Sequence, residues 1–351
     1  MKIIHLVGAR PQFIKLFPLL KEINGLVVHT GQHYDDNMSK VFFDEMEIKE
    51  PDYNLGIGSG LHGEQTGKMV IEFERVCIKE KPDIILVFGD TNSTLAGALT
   101  GAKLNILVAH VEAGLRSYDK TMPEEINRIL CDHCSDILFC PTETAVENLR
   151  KEGITKNVYN VGDIMYDACL HFLKIAEKKS KIIEELNLKA NNYFLVTLHR
   201  PVNVDDENNL KIILDSFDKL DKKVVFPLHP RTRKMINEFK IDIGENIKII
   251  EPVGYLDMLM LEKNAKSILT DSGGVQKEAY FFKKPCITLR ESTEWVETIG
   301  NGNILCKINK NEIIKKVNDM STRKFSFDKN FYGDGNSAKR IKEVIEKWTL
   351  H

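Results

Sequence analysis

The sequence predicts an α/β protein made of two Rossmann-like, doubly wound domains, and three observations carry that prediction. Short β-branched apolar runs alternate with longer amphipathic segments along the chain. The runs are apolar almost throughout, as parallel strands covered on both faces are. The alternation also comes in two blocks, the first ending near Val161-Gly162-Asp163. At about 150 residues per domain, 351 residues agree with two domains.

Taken in order, the first block offers strands at Ile3–Val7, Leu26–Thr30, Ile84–Phe88, Ile106–Val111 and Ile137–Cys140. The second offers Phe194–Leu198, Val224–Leu228, Ile247–Ile250, Ser267–Thr270 and Cys286–Leu289. Helical spacing of apolar residues marks Phe13–Ile23, Lys68–Lys81, Glu124–Cys134, Leu210–Leu220 and Tyr255–Asn264. A Lys-rich helical stretch, Leu173–Leu188, is expected to connect the blocks. Ser337–Trp348 forms a last amphipathic helix. The expected division is 1–167 with 336–351 against 168–335.

Composition narrows the function classes. Lys+Arg numbers 49 and Asp+Glu 51, a net charge of −2, without the basic excess of a nucleic-acid binder. The chain is 42% hydrophobic and 28% charged, which excludes disorder as the main state. No apolar run approaches the roughly 18 residues of a membrane-spanning helix. The stretch Met1–Gly8 meets Arg10 and Pro11 without a small-residue cleavage site, so it reads as a buried strand. Seven scattered cysteines suggest reduced thiols in a cytoplasm. Cys131-x-x-Cys134 lacks a second pair, so it reads as core filler, and no metal is expected.

Ligands of open α/β sheets bind beyond the carboxyl ends of the strands. After the first strand, Arg10 and Lys15 flank a helix opened by Pro11, a place suited to phosphate. Gly-x-Gly-x-x-Gly is missing there. Its formal match, Gly58–Gly63, follows no apolar strand, which argues against a dinucleotide. Asp90 ends the third strand, with Thr91 or Asn92 able to cap the next helix. Glu112 ends the fourth, and a carboxylate there is costly unless paired or used. Glu124 and Arg128 stand at i,i+4 on the following helix. In the second block His199 and His229 end successive strands, each with an arginine close behind. Asp271-Ser272-Gly273-Gly274 then opens a helix whose bare N–H groups suit a pyrophosphate, with Glu278 a turn further on for a ribose.

These motifs, in this order, resemble the non-hydrolysing UDP-N-acetylglucosamine 2-epimerase family over essentially the whole chain. They are Gly8-Ala9-Arg10-Pro11 with Lys15, Gly89-Asp90-Thr91, His110–Arg116, Pro123–Arg128 and Asp271–Gly274 with Glu278. The resemblance implies a GT-B architecture, two domains facing across a cleft, with the last helix returning to the first domain. It also implies a cytoplasmic homodimer of polysaccharide biosynthesis acting on a UDP-sugar, with no cofactor, nucleic acid or membrane.

The implied reaction eliminates UDP to a 2-acetamidoglucal and adds it back with inverted C2. The C2 hydrogen is not flanked by a carbonyl, so departure of the anomeric phosphate must drive its loss. Carboxylates are then needed around the sugar, and cations and helix N-termini around the diphosphate. The resemblance assigns Asp90, Glu112 and Glu124 to acid/base work and Arg10, Lys15, His199, Ser272, Gly273 and Gly274 to the leaving group. Arg128 would orient Glu124, and uridine would lie around Val253–Met258. Arg116, His229, Glu278 and Arg290 complete the implied contacts.

The family often carries Thr-Glu-Arg where this chain has Thr293-Glu294-Trp295. That form, with Gly31–Met38 and Pro252–Leu256, most resembles the branch acting on UDP-2,3-diacetamido-2,3-dideoxyglucuronate. The competing enzyme classes are a hydrolysing 2-epimerase and a GT-B glycosyltransferase. A nucleotide-sugar sensor is the non-enzymatic alternative.

Overall fold

A computed structural model describes residues 1–32, 49–323, 325, 327 and 329–348. The chain divides into two compact units, Met1–Leu170 with Asn330–His351, and His171–Lys329. Helices are numbered below over the described residues.

The first unit carries a seven-stranded parallel sheet in the order β3-β2-β1-β4-β5-β6-β7. Its strands are β1 (Ile3–Val7), β2 (Leu26–His29), β3 (Tyr53–Asn54), β4 (Ile84–Phe88), β5 (Leu107–Val111), β6 (Ile137–Cys140) and β7 (Val158–Asn160). The helices are α1 (Arg10–Glu22), α2 (His62–Glu80), α3 (Asn92–Leu104), α4 (Pro123–Cys134) and α5 (Glu143–Lys151), and α6 (Ile164–Lys179) begins in this unit and ends in the second. One layer of the core is Ile4, Leu6, Ile85, Val87 and Val108 from the strands against Phe73, Val76 and Ala98 from α2 and α3. Each such side chain taken from water contributes about 1.5–3 kcal/mol if large.

The second unit carries a six-stranded parallel sheet in the order β10-β9-β8-β11-β12-β13. These strands are β8 (Phe194–Thr197), β9 (Val224–Pro227), β10 (Ile247–Ile250), β11 (Ser267–Thr270), β12 (Cys286–Thr288) and β13 (Asn303–Leu305). Between them lie α7 (Ile182–Glu185), α8 (Pro201–Val204), α9 (Glu207–Asp218), α10 (Pro230–Glu238), α11 (Tyr255–Asn264), α12 (Gly273–Phe281) and α13 (Lys310–Thr322). Successive strand residues serve opposite layers. Phe194 and Val196 join a core with Phe217 and Phe226, whereas Leu195 and Val225 join another with Tyr193 and Ala279. Two-sided burial is why these strands read as continuous apolar runs.

In both sheets the strand order reverses beside the first strand, between β1 and β4 and between β8 and β11. The loops after those four strands are therefore the expected ligand sites. The last helix, α14 (Ser337–Trp348), belongs to the first unit and packs on α1.

Several expected boundaries need correction. The edge strands β3, β7 and β13 were not read from the sequence, because two or three half-exposed residues make no apolar run. The short β3 does precede Gly56–Gly63. The stretch Leu173–Leu188 is not one helix: α6 stops at Lys179 and α7 begins at Ile182. Ser180 breaks it, its hydroxyl donating to Asp257 at 2.6 Å. Helices α2 and α9 also start before their first expected residues, since their opening turns are polar. Of Gly31–Met38, residues 33–38 lie outside the described residues.

Candidate active site

In the first unit the turn from β1 into α1 is tied to the tip of β4. Gln12 accepts from the N–H groups of Gly8 and Ala9 at 2.7 and 3.0 Å and donates to the Phe88 carbonyl at 2.6 Å. Arg10 is then the first residue of α1, half-buried at its N-terminus. Thr91, not Asn92, caps α3, its hydroxyl accepting from Thr94 N–H. Asp90 is left for other work.

Lys15, one turn into α1, meets Glu112 at the tip of β5. Nζ and Oε1 are 2.7 Å apart, and both side chains are nearly closed to solvent. The pair lies over Gly89, where a Cβ would stand 3.3 Å from Nζ and 3.6 Å from the carboxylate, and Gly89 itself holds φ +66°. Glu112 adopts φ +74°, a left-handed conformation that costs a non-glycine residue about 1 kcal/mol. Lys15 was expected on the diphosphate and Glu112 on the sugar; in the structure the two are bonded to each other.

Arg128 binds Asp90 in place of Glu124. Its Nη2 and Nε lie 2.6 and 3.0 Å from Asp90 Oδ2, and Nη1 lies 2.9 Å from Glu125 Oε2. The i,i+4 pair expected with Glu124 gives way to an i,i+3 pair with Glu125, because Glu125 shares the buried face of α4 and Glu124 is exposed. Glu125 also accepts from the N–H groups of Ser117 and Tyr118 at 2.8 and 2.9 Å. Burial pushes its carboxyl up, but the Ser117 and Arg128 hydrogen bonds bring it below the usual range. Asn127 donates to the Asp90 carbonyl at 2.9 Å. One helix face thus fixes the backbone and the carboxylate of Asp90.

Beneath this lies a network that the sequence reading did not pick out. Asp132 is fully buried and bonds His110 Nδ1, Arg116 Nη1 and Gly114 N–H at 2.7, 2.7 and 3.1 Å. His110 Nε2 donates to the Gly89 carbonyl at 2.7 Å, under the Lys15–Glu112 pair. Arg116 grips Glu152 with Nε and Nη2, both at 2.7 Å, and its own Leu115 carbonyl. Arg116, expected among the substrate contacts, therefore spends its donors on the fold. The available signal was His110, a polar residue inside an apolar strand, which demands a buried partner.

In the second unit the two central strand tips are joined by Asp271, which is fully buried. It accepts from the N–H groups of His199 and Arg200 and from the Asn203 side chain, at 3.1, 3.0 and 3.0 Å. His199 Nδ1 lies 3.1 Å from Asp271 Oδ1. Burial would raise the Asp271 carboxyl, but the His199 hydrogen bond and charge pull it below its ordinary value. The imidazole is thereby oriented with Nε2 away from Asp271. The His229 ring lies 5.6 Å from that of His199, and its Nδ1 accepts from Arg231 N–H. Burial, then the neighbouring His199, lower the His229 pKa.

Ser272 caps α12 in extended conformation with no side-chain cap bond, leaving its hydroxyl beside the first N–H groups of the helix. A Cβ on Gly273 would stand 2.4 Å from Glu294 Oε1, so that carboxylate end would have to move to admit a side chain there. Gly274 is exposed. Glu278 is buried and accepts from the Tyr255 hydroxyl at 2.8 Å. Behind it Glu262 is fully enclosed, and burial, then the Glu278 charge, push its carboxyl well above the usual range. Val253 and Met258 are half-buried against the core at the start of α11. Arg290 pairs with Glu294 at 2.9 Å.

Cys131 is buried and Cys134 half-buried, both free thiols. Among the described residues no group of three or more His, Cys, Asp or Glu side chains could hold a metal ion.

The family model described as UDP-N-acetylglucosamine 2-epimerase matches residues 20–346. The chain is 56% identical to the UDP-N-acetylglucosamine 2-epimerase homolog of Methanococcus maripaludis, over 98% of this chain and 99% of that protein. It is 45% identical to the UDP-2,3-diacetamido-2,3-dideoxy-D-glucuronate 2-epimerase of Pseudomonas aeruginosa, over 99% and 100%. The crystal structure of Methanocaldococcus jannaschii UDP-GlcNAc 2-epimerase with UDP-GlcNAc and UDP superposes with TM-score 0.91 at 51% identity, covering 99% of this chain and 100% of that one.

Fold and relatives together define an isomerase, specifically a sugar-nucleotide epimerase. The chain belongs to the UDP-N-acetylglucosamine 2-epimerase family.

Proposed function

We propose that this chain inverts C2 of UDP-N-acetylglucosamine, interconverting it with the manno isomer without hydrolysis. The observation that carries this reading is the cluster at the carboxyl ends of β4 and β5, where Asp90 and Glu112 flank Gly89, each held by its own cation. A carboxylate takes the C2 proton while the C1–O bond to UDP breaks, leaving a C1=C2 glucal. UDP oxygen then re-adds to C1, and an acid on the opposite face returns a proton to C2. No water is consumed and nothing is oxidised, so the chemistry calls for no redox cofactor.

Asp90, Glu112 and the exposed Glu124 supply the acid and base of the two faces. Arg128 positions Asp90, and Lys15 positions Glu112. In the second unit the start of α12 at Ser272-Gly273-Gly274 serves the diphosphate, where an anion meets bare N–H groups and the helix dipole. Glu278 serves the ribose and Val253–Met258 the base. His199, oriented by Asp271, gives a hydrogen bond from Nε2 to the departing phosphate. Arg10, at the positive end of α1, and Arg290 add cationic charge to the leaving group.

Incubation with UDP-GlcNAc in D2O, followed by proton NMR, tests the reading: deuterium should appear at C2 with UDP-ManNAc. Full turnover with unlabelled sugar would falsify it, and stoichiometric UDP release would select the hydrolysing relative. Trp295, at the position of the family's arginine, favours a second reading, UDP-2,3-diacetamido-2,3-dideoxyglucuronate as substrate. The same experiment with that sugar decides between them.

The chain is further proposed to be a cytoplasmic homodimer. Its seven cysteines are all free. Ile71 and Ile78 on α2, and Ile126 and Leu130 on α4, expose apolar side chains that a second copy would cover. Light scattering at twice the chain mass is the expected result.

A further inference from the structure

The imidazole of His110 is fully buried on β5, and both of its ring nitrogens meet acceptors. Nε2 lies 2.7 Å from the Gly89 carbonyl oxygen, which has no proton to give. Nδ1 lies 2.7 Å from Asp132 Oδ1. At its other oxygen Asp132 accepts from Arg116 Nη1 and the Gly114 N–H, at 2.7 and 3.1 Å. A carboxyl gripped by a guanidinium and an amide is ionised. Burial would raise it, but the His110 hydrogen bond and charge, then Arg116, bring it below its ordinary value. Neither acceptor can supply a proton, so this ring must carry two, and a neutral imidazole has only one. The charges then answer each other, Asp132 and Glu152 against His110 and Arg116.

We propose that His110 is a fixed imidazolium that positions the carboxylates at the strand tips and holds them in their charged form. Its Nε2–H pins the carbonyl of Gly89, the residue against which Lys15 and Glu112 lie and which Asp90 follows. That bond holds the turn, at φ +66°, from which Asp90 emerges. A cation enclosed beside carboxylates favours their ionised form, the form a base must have. The other titratable groups around the network are Asp132 and Cys131 from α4, Arg116 after β5, Cys140 from β6 and Lys15 from α1, besides the two carboxylates. Burial pushes both thiols up, so they stay neutral. Loss of the ring proton would leave a nitrogen lone pair facing an oxygen, which is why the charge is fixed. The proposal rests on the epimerase reading and names what keeps that site's base ready.

Two measurements on the full chain test it. In the nitrogen-15 spectrum of histidine-labelled protein, one imidazole of the ten should keep both N–H protons from about pH 6 to 9. Its signal should vanish in His110→Asn. A His110 ring that turns neutral within that range overturns the proposal. The second measurement is kinetic. His110→Gln keeps a donor for the Gly89 carbonyl and removes the charge. It should slow turnover about a hundredfold with UDP affinity unchanged, and the acid limb of its kcat/KM profile should move to higher pH. A profile that keeps its shape, whether at full rate or uniformly lowered, is what a structural role alone gives, and it overturns the proposal. Should both variants fail to fold, the wild-type spectrum decides: a ring still doubly protonated at pH 9 supports the proposal, and none overturns it. Wild-type protein that shows this ring yet exchanges no C2 proton of either UDP-sugar overturns the parent reading, and the role in turnover with it.

Discussion

Lys15 Nζ stands 2.7 Å from Glu112 Oε1, joining the first turns of α1 to the tip of β5 across 97 residues of sequence. Both groups are largely withdrawn from water, which strengthens the attraction between them. Lys15→Met should destabilise the protein by about 3–5 kcal/mol, because it removes the cation beside a buried carboxylate. Adding Glu112→Gln should recover most of that loss. A double-mutant cycle from denaturant melts measures it, and additive single effects would show that the pair is not coupled.

Glu124 and Glu125 are adjacent and should behave oppositely. Glu124→Gln, on an exposed side chain, should leave the melting temperature unchanged and slow C2 exchange by about 10²–10⁴-fold. Glu125→Gln should cost about 3 kcal/mol of stability, since an amide cannot accept all the hydrogen bonds that this carboxylate receives. If Glu125→Gln melts like wild type, the structural role given to Glu125 is wrong.

Asp271→Asn should separate orientation from binding. The His199 ring would lose its ionised partner, and turnover should fall at least tenfold while uridine affinity holds. The Asp271 carboxyl lies below its ordinary value in the folded chain. It therefore adds stability above the unfolded carboxylate value of about 4, and this is lost as pH falls through the folded value. The asparagine variant should show a shallower loss of melting temperature at that acid end.

His5 gives a second pH signature. It is fully buried on β1, and burial, only partly offset by a backbone hydrogen bond at Ile23, lowers its pKa to about 4. The unfolded chain takes up a proton near pH 6.5 and the folded chain does not, so stability rises with pH through this window. Acidification from pH 7 to pH 5 should remove about 2 kcal/mol through this group. His5→Leu should flatten the curve between pH 6.5 and 4. An unchanged slope in denaturant melts across that range would refute the assignment to His5. His29, lowered to about 4 mainly by burial, adds a contribution of the same sign.

Local chemistry was enough to place the loops at the strand tips. Asp90, Glu112, His199, His229 and Gly273 all follow apolar strands, and a strand buried on both faces announces its own end. The partners of those residues were not legible. Arg128 chooses Asp90 and Glu125 over Glu124 because the phase of α4 turns one carboxylate inward and its neighbour outward, a matter of about 100° per residue that spacing alone does not resolve. Lys15 finds Glu112, and Asp132 finds His110 and Arg116, through a strand order that no short motif encodes. The break at Ser180 likewise depends on Asp257, far along the chain. Sequence by itself determined the alternation of elements, the doubly wound class and the residues at the strand tips, because burial and turn geometry are local demands. Tertiary structure decided which charge answers which, since a buried ion must take whatever partner the packed sheet brings within about 3 Å.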